Sequence, residues 1–448
     1  MSFIQMRTQL KPQIQEGRAD DVRMVRAISL ITAAATALLF ATSCNKETKI
    51  INEDNLVQIR FSWWGNEDRN TYTTEAIKTF EKENKNISVT PEYGEYDGLK
   101  AKMNLELYSN SEADVMQLDY NWMFKYISNG CDFYDLDQLS KYINLKNFSS
   151  EALDSGRVDG KLKGIPATFD TLTFFCNKTL FNHYGLGLPT TWKDYFDAAR
   201  IMKNDEIYPL ALDAKSFWLV CNAANEQATG RTLFDENGNF TNDEGSMLNM
   251  ISFYISLVEQ KVSKNSDQFD ISDLENNKVA CVPMWITNAQ HDCEKALDSR
   301  LEIVVGTYPT YGSEVKNYGW CYKPSSFYAV KKNTKNPEAA GKFINYMLNS
   351  EEMAVKQGTE KGVPLSASAV ETLEGRGMLS GLSYDASKKM SDSSNLKLMN
   401  PMLDDDEIIA IFSDVCNSVY YDKYDIPYAA KNACERINEY LKENISDN

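Results

Sequence analysis

Apolar and polar positions alternate along residues 56–63, and this is the clearest pattern in the chain. A period of two residues is typical of a β-strand with one buried face. Residues 72–85 then follow a helical pattern, and two further short apolar runs occupy residues 87–91 and 112–119. Strand and helix signals therefore alternate, which predicts an α/β fold with mainly parallel strands.

The first predicted strand ends on two adjacent tryptophans, in the stretch FSWWGNEDR at residues 61–69. Adjacent residues of a strand point to opposite faces, so one core does not hold both rings. Trp63 continues the apolar face, and we expect it to be buried in the core. Trp64 breaks the alternation, and we expect it to face a ligand, with a position in the core or between two lobes as the alternative.

Two later helices are indicated by their start signals. Thr191 and Asp194 fit a capping box. Asn336 and Pro337 offer an N-cap followed by proline at the first helical position. The second helix also carries an apolar stripe with the spacing of a core-facing surface: Ala340, Phe343, Ile344, Met347 and Leu348. These are packing features, and we assign them no chemistry.

Length and charge limit the classes of function. With 448 residues the chain is too long for one compact core, so two domains or lobes are expected. A net charge of −17 argues against a nucleic-acid partner, which requires basic patches. Two histidines and nine cysteines without a CxxC pair argue against histidine catalysis and a zinc site, and we predict no metal or cofactor. The acidic run at residues 404–407 is interpreted as a solvated face.

The N-terminal region has the pattern of an export signal. Arg23 and Arg26 precede a mostly apolar run, residues 27–40, which ends in small residues and Cys44. This arrangement resembles a bacterial lipoprotein signal, in which the cysteine is acylated and anchors the protein, although Ala41 stands where leucine is usual. An ordinary signal peptide with a chance cysteine is the alternative. We expect translation to start at Met24, a leader and signal at residues 1–44, and a tether at 45–55.

Further segments follow one another along residues 56–370 in a recognisable order. They are WWG (63–65), PEYGEYDGLKAKM (91–103), ADVMQLDYNWM (113–123), GKLKGIPATFDTLTFFCNKTLF (160–181), LPTTWKDYFDAA (188–199), KVACVPMWITNA (278–289), residues 319–352, and KQGTEKGVPLSASA (356–369). Taken together, they resemble extracellular solute-binding proteins of family 1, the sugar-binding lipoproteins of ATP-driven importers of the maltose-binding type.

The resemblance implies a type II periplasmic-binding-protein fold, in which two α/β lobes surround a ligand cleft and are joined by crossover strands. It places the crossings near residues 166–169, near residues 323–325 and near Asn349. The implied first lobe comprises residues 56–166 with 324–349, and the second comprises 167–323 with 350–448.

Ligand-binding residues are expected directly after strands, because ligands in open α/β sheets bind outside the carboxyl ends of the strands. The residues that meet this rule or fall on the family motifs are Trp64, Asn66, Asp119, Asn121, Trp122, Asp170, Trp218, Trp285 and Trp320. Aromatic rings pack on the C–H faces of a sugar, and Asp and Asn bond its hydroxyls. The alternatives are helix capping for Asp119 and Asn121, a crossover hydrogen bond for Asp170, and core packing for the tryptophans. Arg69 is expected to be a solvated charge, with a position in the cleft as the alternative.

The sequence thus predicts a protein without catalytic activity that is anchored to the outer face of the cell membrane. The resemblance implies that it captures a carbohydrate, expected to be an oligosaccharide, by lobe closure and delivers it to the permease subunits of an ABC transporter. An exported glycoside hydrolase is the alternative, since it also needs aromatic subsites and paired carboxylates. A receptor of the same fold for a non-sugar solute such as a polyamine is a second alternative.

Overall fold

The computed structural model describes residues 56–235 and 238–444. The predicted signal, tether and lipidation site at Cys44 lie outside the described residues. Within the described ranges, no helix is both long and apolar enough to cross a membrane.

The described helices and strands alternate along most of the chain. The strands are β1 (Val57–Trp64), β2 (Ile87–Gly94), β3 (Val115–Leu118), β4 (Arg157–Val158), β5 (Lys161–Leu162), β6 (Ile165–Pro166), β7 (Phe169–Asn177), β8 (Cys281–Trp285), β9 (Ile303–Val305), β10 (Cys321–Pro324), β11 (Phe327–Val330) and β12 (Lys397–Leu398). The helices up to Asp298 are α1 (Glu67–Glu83), α2 (Tyr96–Tyr108), α3 (Tyr120–Ser128), α4 (Ser150–Asp154), α5 (Lys178–His183), α6 (Trp192–Met202), α7 (Ala214–Thr229), α8 (Glu244–Glu259), α9 (Ser272–Glu275), α10 (Ile286–Asp292) and α11 (Glu294–Asp298). The helices after Asp298 are α12 (Pro337–Asn349), α13 (Glu351–Gln357), α14 (Ala367–Gly375), α15 (Leu382–Ser391), α16 (Asp406–Tyr420) and α17 (Ile426–Asn444). Short 3-10 helices cover Leu136–Leu139, Leu145–Asn147, Lys203–Asp205, Ser266–Gln268 and Pro401–Asp404.

The strands form two main sheets. The first has the order β2-β1-β3-β11-β6, and the second has the order β12-β10-β7-β8, with β9 pairing to β7. In the first sheet β1 runs parallel to β2 and β3, but β11 runs antiparallel to β3 and β6. In the second sheet β7 runs antiparallel to β8, β9 and β10. The fold is α/β as predicted, but the prediction of mainly parallel strands is wrong.

The antiparallel pairs arise because the chain passes between the sheets in both directions. It leaves the first sheet at β6 and enters the second at β7, and it returns from β10 to β11. Between these strands, Ala167 N donates to Ser326 O at 3.0 Å, and Ser325 N donates to Thr168 O at 2.9 Å. The two connections therefore run side by side as an antiparallel ribbon, which joins two α/β lobes.

A third connection between the lobes is expected later in the chain. Helix α13 packs against α1 and α12 of the first lobe and α14 packs against α12 and α13, whereas α15 packs against α10, β7 and β9 of the second. This packing favours a passage between the lobes after Gly375 rather than near Asn349. The domain bounds themselves stay a prediction.

The first helix starts earlier than its apolar pattern indicated. Helix α1 begins at Glu67 instead of within residues 72–85, because Asn66 caps it: its Oδ1 accepts a hydrogen bond from Arg69 N at 2.9 Å. Asn is among the preferred N-cap residues. The cap places Asn66 and Arg69 directly after the end of β1.

The two helices with start signals form as predicted. Thr191 and Asp194 make both bonds of the capping box of α6. Pro337 begins α12, and its predicted apolar stripe is buried. Asn336, however, does not cap α12 with its side chain, because its Nδ2 donates to Gln58 O at 3.0 Å and so ties the helix to β1.

Candidate functional site

A cavity of about 450 Å³ opens where the two lobes meet, at the carboxyl ends of β1 and β3. The predicted site residues that line it are Trp64, Asn66, Asp119, Asp170 and Trp285. Its volume lies within the range of about 300–1,000 Å³ that is typical of small-molecule sites. The cavity is thus placed where the strand rule predicts a ligand.

An aromatic wall forms the first-lobe side of the cavity. Trp64, half-buried at the end of β1, lies 5.6 Å from Tyr96 and 5.3 Å from Trp122, measured between ring centroids. Tyr96 also lines the cavity. Trp122 does not; it is buried behind the other two rings. The sequence prediction missed Tyr96, although its position two residues after β2 meets the same strand rule.

Trp285 lies on the second-lobe side, at the end of β8. Two ammonium groups approach its ring: Lys323 Nζ lies 4.7 Å and Lys215 Nζ lies 5.4 Å from the ring centroid. Cations over an indole face are attracted by the ring quadrupole. The two lysines therefore fix the orientation of Trp285.

A buried ion cluster lies beneath Trp285. Lys323 Nζ lies 2.5 Å from Asp404 Oδ2 and 3.7 Å from Asp119 Oδ1, and Lys215 Nζ lies 2.5 Å from Asp404 Oδ1. Burial opposes ionisation of Asp404, but Lys215 and Lys323 hold its pKa below the usual value. Burial likewise acts to lower the pKa of Lys323, and the two carboxylates outweigh it and raise that pKa. The solvated interpretation of the acidic run is therefore wrong for Asp404 and Asp405, which are 1% and 4% exposed.

Asp170 lines the cavity, and its carboxylate oxygens already accept hydrogen bonds from neighbouring protein groups. It accepts hydrogen bonds from Thr171 N at 2.9 Å, Ile286 N at 2.7 Å and Thr287 Oγ1 at 2.7 Å. Burial raises the pKa of its carboxyl, and these donors lower it in part. Asp170 thus connects the start of β7 to the start of α10. This is the crossover hydrogen-bonding role that the sequence analysis gave as the alternative to ligand binding.

Asp119 and Asn121 have capping and bridging roles. Asp119 Oδ1 accepts from Asn121 N at 3.4 Å at the start of α3, and burial raises the pKa of its carboxyl. Asn121 Nδ2 donates to the carbonyl of Asp404 across the lobes. Asp119 still reaches the cavity, whereas Asn121 lines a different one.

The structure does not bring Trp218 and Trp320 to the cavity. Trp218 is fully buried, and its Nε1 donates to Leu403 O at 2.9 Å. Trp320 is also buried, and its Nε1 donates to Pro309 O at 2.9 Å. A buried indole N–H needs an acceptor, and backbone carbonyls of the core supply it here. Core packing, the alternative reading of both residues, accounts for these positions.

Arg69 bridges the lobes, contrary to its interpretation as a solvated charge. Its Nε lies 2.6 Å from Glu360 Oε1, and its Nη2 donates to Thr287 O at 3.2 Å. The other oxygen of Glu360 accepts from Tyr72 Oη at 2.9 Å. Glu360 and Arg69 both line the cavity. Because 291 residues separate them in the sequence, no local pattern indicated that they form a pair.

Lys361, the next residue, lines the cavity and is 5% exposed. Thr168 Oγ1 donates to its carbonyl at 2.6 Å, which fixes the residue beside the lobe connection. Burial, assisted by the nearby guanidinium of Arg69, lowers the pKa of its ammonium to about 8. The sequence gave no reason to select this lysine.

The arrangement offers ring faces and hydrogen-bonding groups around one open space. Residues 56–235 and 238–444 contain no group of His, Cys, Asp and Glu placed to hold a metal ion. The site as built can bind and orient a polar ligand with apolar faces.

The chain is similar to known proteins over most of its length. A family model described as bacterial extracellular solute-binding protein matches residues 75–375. The multiple sugar-binding protein of Streptococcus mutans is 22% identical over 354 residues, which cover 74% of this chain and 80% of that protein. The maltooligosaccharide ABC transporter solute-binding lipoprotein of Streptococcus pneumoniae is 22% identical over 376 residues, covering 79% and 84%. The periplasmic oligogalacturonide binding protein of Yersinia enterocolitica, solved with saturated digalacturonic acid, superposes with a TM-score of 0.79 at 26% identity, covering 87% of this chain and 100% of that one.

Proposed function

Because this chain belongs to the bacterial extracellular solute-binding proteins, we propose that it captures an oligosaccharide between its lobes and delivers it to the permease of an ABC transporter. The relatives support this: two are named as binding sugars or maltooligosaccharides, and one as binding an oligogalacturonide. The ligand would bind in the cavity between the lobes and be enclosed when one lobe closes on the other.

The observation that carries the proposal is the pair of tryptophans that face one cavity from different lobes. Trp64 comes from the first lobe and Trp285 from the second. Each ring offers an apolar face for a sugar ring, and a stacked aromatic contributes about 0.5–1.5 kcal/mol beyond the area it buries. Micromolar affinity requires about 8 kcal/mol, so polar groups of the cavity have to contribute as well.

Asn66 and Asp119 are proposed as polar contacts of the ligand, since both line the cavity. Asn66 and Asp119 each keep one side-chain atom that no helix cap uses. Asp170, whose oxygens hold three donors, is proposed to position Trp285 and Thr287 rather than to carry affinity. Trp122 is proposed to support Trp64 from behind.

The anchor on Cys44 is part of the proposal. It is supported by the lipobox-like sequence and by the lipoprotein name of the pneumococcal relative. Residues 45–55 would then act as the tether between lipid and protein. Labelling with a radioactive fatty acid tests it: incorporation into the full chain and its loss in Cys44→Ala are expected, and equal labelling of both would contradict the anchor.

A receptor is favoured over a glycoside hydrolase by the state of the buried carboxylates. A hydrolase needs one carboxyl free to donate a proton and another free to attack or to activate water. Asp119 is close to Lys323, and Asp170 is bonded to three donors. Asp170 thus has no oxygen free for catalysis, and the ammonium of Lys323 opposes protonation of Asp119, which keeps one oxygen for a ligand hydroxyl.

A thermal unfolding screen against oligosaccharides, polyamines and amino acids tests the proposal. A ligand present at 100 times its Kd raises the free energy of unfolding by about 2.7 kcal/mol. We expect the largest shift from an oligosaccharide, with no shorter products after prolonged incubation. Stabilisation by a polyamine or an amino acid alone, or release of shorter sugars, would contradict the proposed function.

A further inference from the structure

Four basic side chains other than histidine line the cavity, and three of them have a carboxylate partner. Arg69 is paired with Glu360, and Lys215 and Lys323 share Asp404. Across residues 56–235 and 238–444, no carboxylate forms an ion pair with the fourth, Lys361. Its Nζ lies over the ring of Tyr72, 5.9 Å from the ring centroid.

Lys361 is therefore a nearly buried ammonium without a counter-ion. The nearest carboxylate, Glu360, is occupied by Arg69 Nε and Tyr72 Oη. The guanidinium of Arg69 repels Lys361, so the two cations and the single carboxylate leave one uncompensated positive charge. An isolated buried charge is costly unless it is paired and hydrogen-bonded.

Six acidic side chains line the cavity, and none of them forms an ion pair with Lys361 within the described residues. Asp119 lies beside Lys323, Glu360 is paired with Arg69, and Asp170 accepts from three other donors. Glu95, Asp292 and Asp406 are exposed at the cavity rim, where water screens their effect. The unpaired ammonium belongs to a residue whose carbonyl is bonded to Thr168, beside the connection between the lobes. A ligand with an acidic group can compensate it there, and a neutral hydroxyl cannot.

We infer that the oligosaccharide is acidic, a uronate, and that its carboxylate is bound by Lys361 beside Arg69. This inference rests on the proposed function and narrows it to a ligand class. The carboxylate would accept hydrogen bonds from the ammonium, which is a charge-assisted contact.

Calorimetric titration with matched sugar pairs tests the inference. Each pair consists of an acidic disaccharide and its neutral counterpart: digalacturonate with α-1,4-galactobiose, dimannuronate with mannobiose, and cellobiouronate, which carries a single carboxylate, with cellobiose. We expect one uronate to bind at least about tenfold more tightly than its neutral counterpart. Lys361→Met should weaken binding of that uronate about 10- to 100-fold and change binding of the neutral sugar by less than about threefold.

Lys356→Met is the matched control, because Lys356 is paired with Glu75 and does not line the cavity. It should leave both affinities unchanged. If a neutral sugar binds as tightly as its uronate, or if Lys361→Met weakens both equally, the inference fails and the proposed function stands. If none of the carbohydrates binds, both fail.

A second feature, independent of the cavity, is a pair of cysteines in the second sheet. Cys176 of β7 and Cys281 of β8 lie directly opposite each other, with Sγ atoms 3.0 Å apart. The neighbouring positions are joined by a hydrogen bond from Asn177 N to Ala280 O at 2.8 Å. The cysteines therefore occupy a non-hydrogen-bonded position, where Cα atoms of antiparallel strands are about 4.5 Å apart and side chains are closest.

That spacing is within the range that a disulfide spans. We propose that Cys176 and Cys281 form a disulfide after export. One thiolate attacks the disulfide of an extracytoplasmic thiol oxidoreductase, and the second displaces it from the mixed disulfide. The protein loses two protons and two electrons, and the oxidoreductase is reduced to a dithiol. Both thiols are fully buried in the folded chain, so the exchange has to occur before folding is complete.

Alkylation of exported protein under unfolding, non-reducing conditions tests this pair. Peptide mass spectrometry should find Cys176 and Cys281 linked and unmodified, whereas Cys221, another buried cysteine, should be alkylated. Reducing agent should lower the unfolding temperature of the native protein by several degrees and leave that of Cys176→Ser unchanged. Alkylation of both residues without reduction would overturn the proposal.

Discussion

At the scale of single residues, neighbouring tryptophans of β1 have different environments. Trp63 is fully buried, lies 4.9 Å from the ring of Phe61, and donates its Nε1 to Asn70 Oδ1 at 3.0 Å. Trp64 lines the cavity. The alternation of a strand is the physical cause of this division.

Trp63→Ala should therefore act on stability and Trp64→Ala on binding. The first change removes a buried indole and should lower the free energy of unfolding by about 3–5 kcal/mol. The second should cost less stability but weaken oligosaccharide binding about tenfold or more. Urea unfolding and calorimetric titration measure the two effects. A Trp64→Ala variant with unchanged affinity would show that this ring is not part of the site.

Lys361 should limit stability at neutral pH. Its pKa in the folded chain is about 8, below the usual 10.5, so the unfolded chain binds the proton more tightly. The resulting decrease in the free energy of unfolding is fully present below pH 8 and becomes smaller as the pH rises toward 10. The titratable groups around Lys361 remain in the variant: Arg69 and Glu360 are charged, and burial raises the pKa of Tyr72, so its hydroxyl stays neutral.

Lys361→Met should consequently be more stable than the natural chain by about 1–3 kcal/mol at pH 7, with a smaller advantage at pH 10. Urea unfolding at the two pH values measures this difference. A variant that is less stable at pH 7, or a gain that is the same at both values, would contradict the unpaired state of this lysine.

At the scale of elements, the sequence predicted those parts that depend on local signals. The alternation of apolar and polar residues predicted β1, and the capping box predicted the start of α6. Pro337 and the apolar stripe that follows it predicted α12. The antiparallel strand pairs were not predictable in this way, because they depend on the direction in which the chain returns between the lobes.

Site residues follow the same division. Trp64 and Trp285 come directly after or at the end of strands, so the strand rule located them. Trp218 and Trp320 were selected on the same family motifs, but both are buried in the core. Their indole N–H groups donate to core carbonyls, and no local sequence pattern reveals these bonds. Asp404 appeared solvated because its lysine partners are 81 and 189 residues away in sequence.

The ion cluster that joins β10 to the residues before α16 should be sensitive to truncation. Lys323→Met removes the cation beside Asp119 and one of the two cations that neutralise Asp404. It should lower the free energy of unfolding by about 3–5 kcal/mol, because buried carboxylate charge is left unpaired. Lys342→Met removes the exposed pair with Glu338 and should cost at most about 1 kcal/mol. Urea unfolding compares them, and similar losses would contradict the buried role of Lys323.

At the scale of the whole molecule, the cavity belongs to neither lobe alone. Arg69 reaches from α1 to Thr287 of α10, and Thr168 Oγ1 bonds both Ser325 Oγ, at 2.7 Å, and the carbonyl of Lys361. A ligand that touches Trp64 and Trp285 would add to these contacts between lobes. Binding and lobe closure are therefore expected to be one event, which a reduced radius of gyration in solution scattering on ligand addition would report.

The central claim is that the chain binds an oligosaccharide between the lobes without altering it. Calorimetric titration of the mature protein with the oligosaccharide that stabilises it most tests this claim directly. We expect one binding site per chain, an affinity in the micromolar range or tighter, weaker binding by both Trp64→Ala and Trp285→Ala, and intact sugar recovered afterwards. Absence of binding by any carbohydrate, unchanged affinity in both variants, or recovery of cleaved sugar would contradict the account.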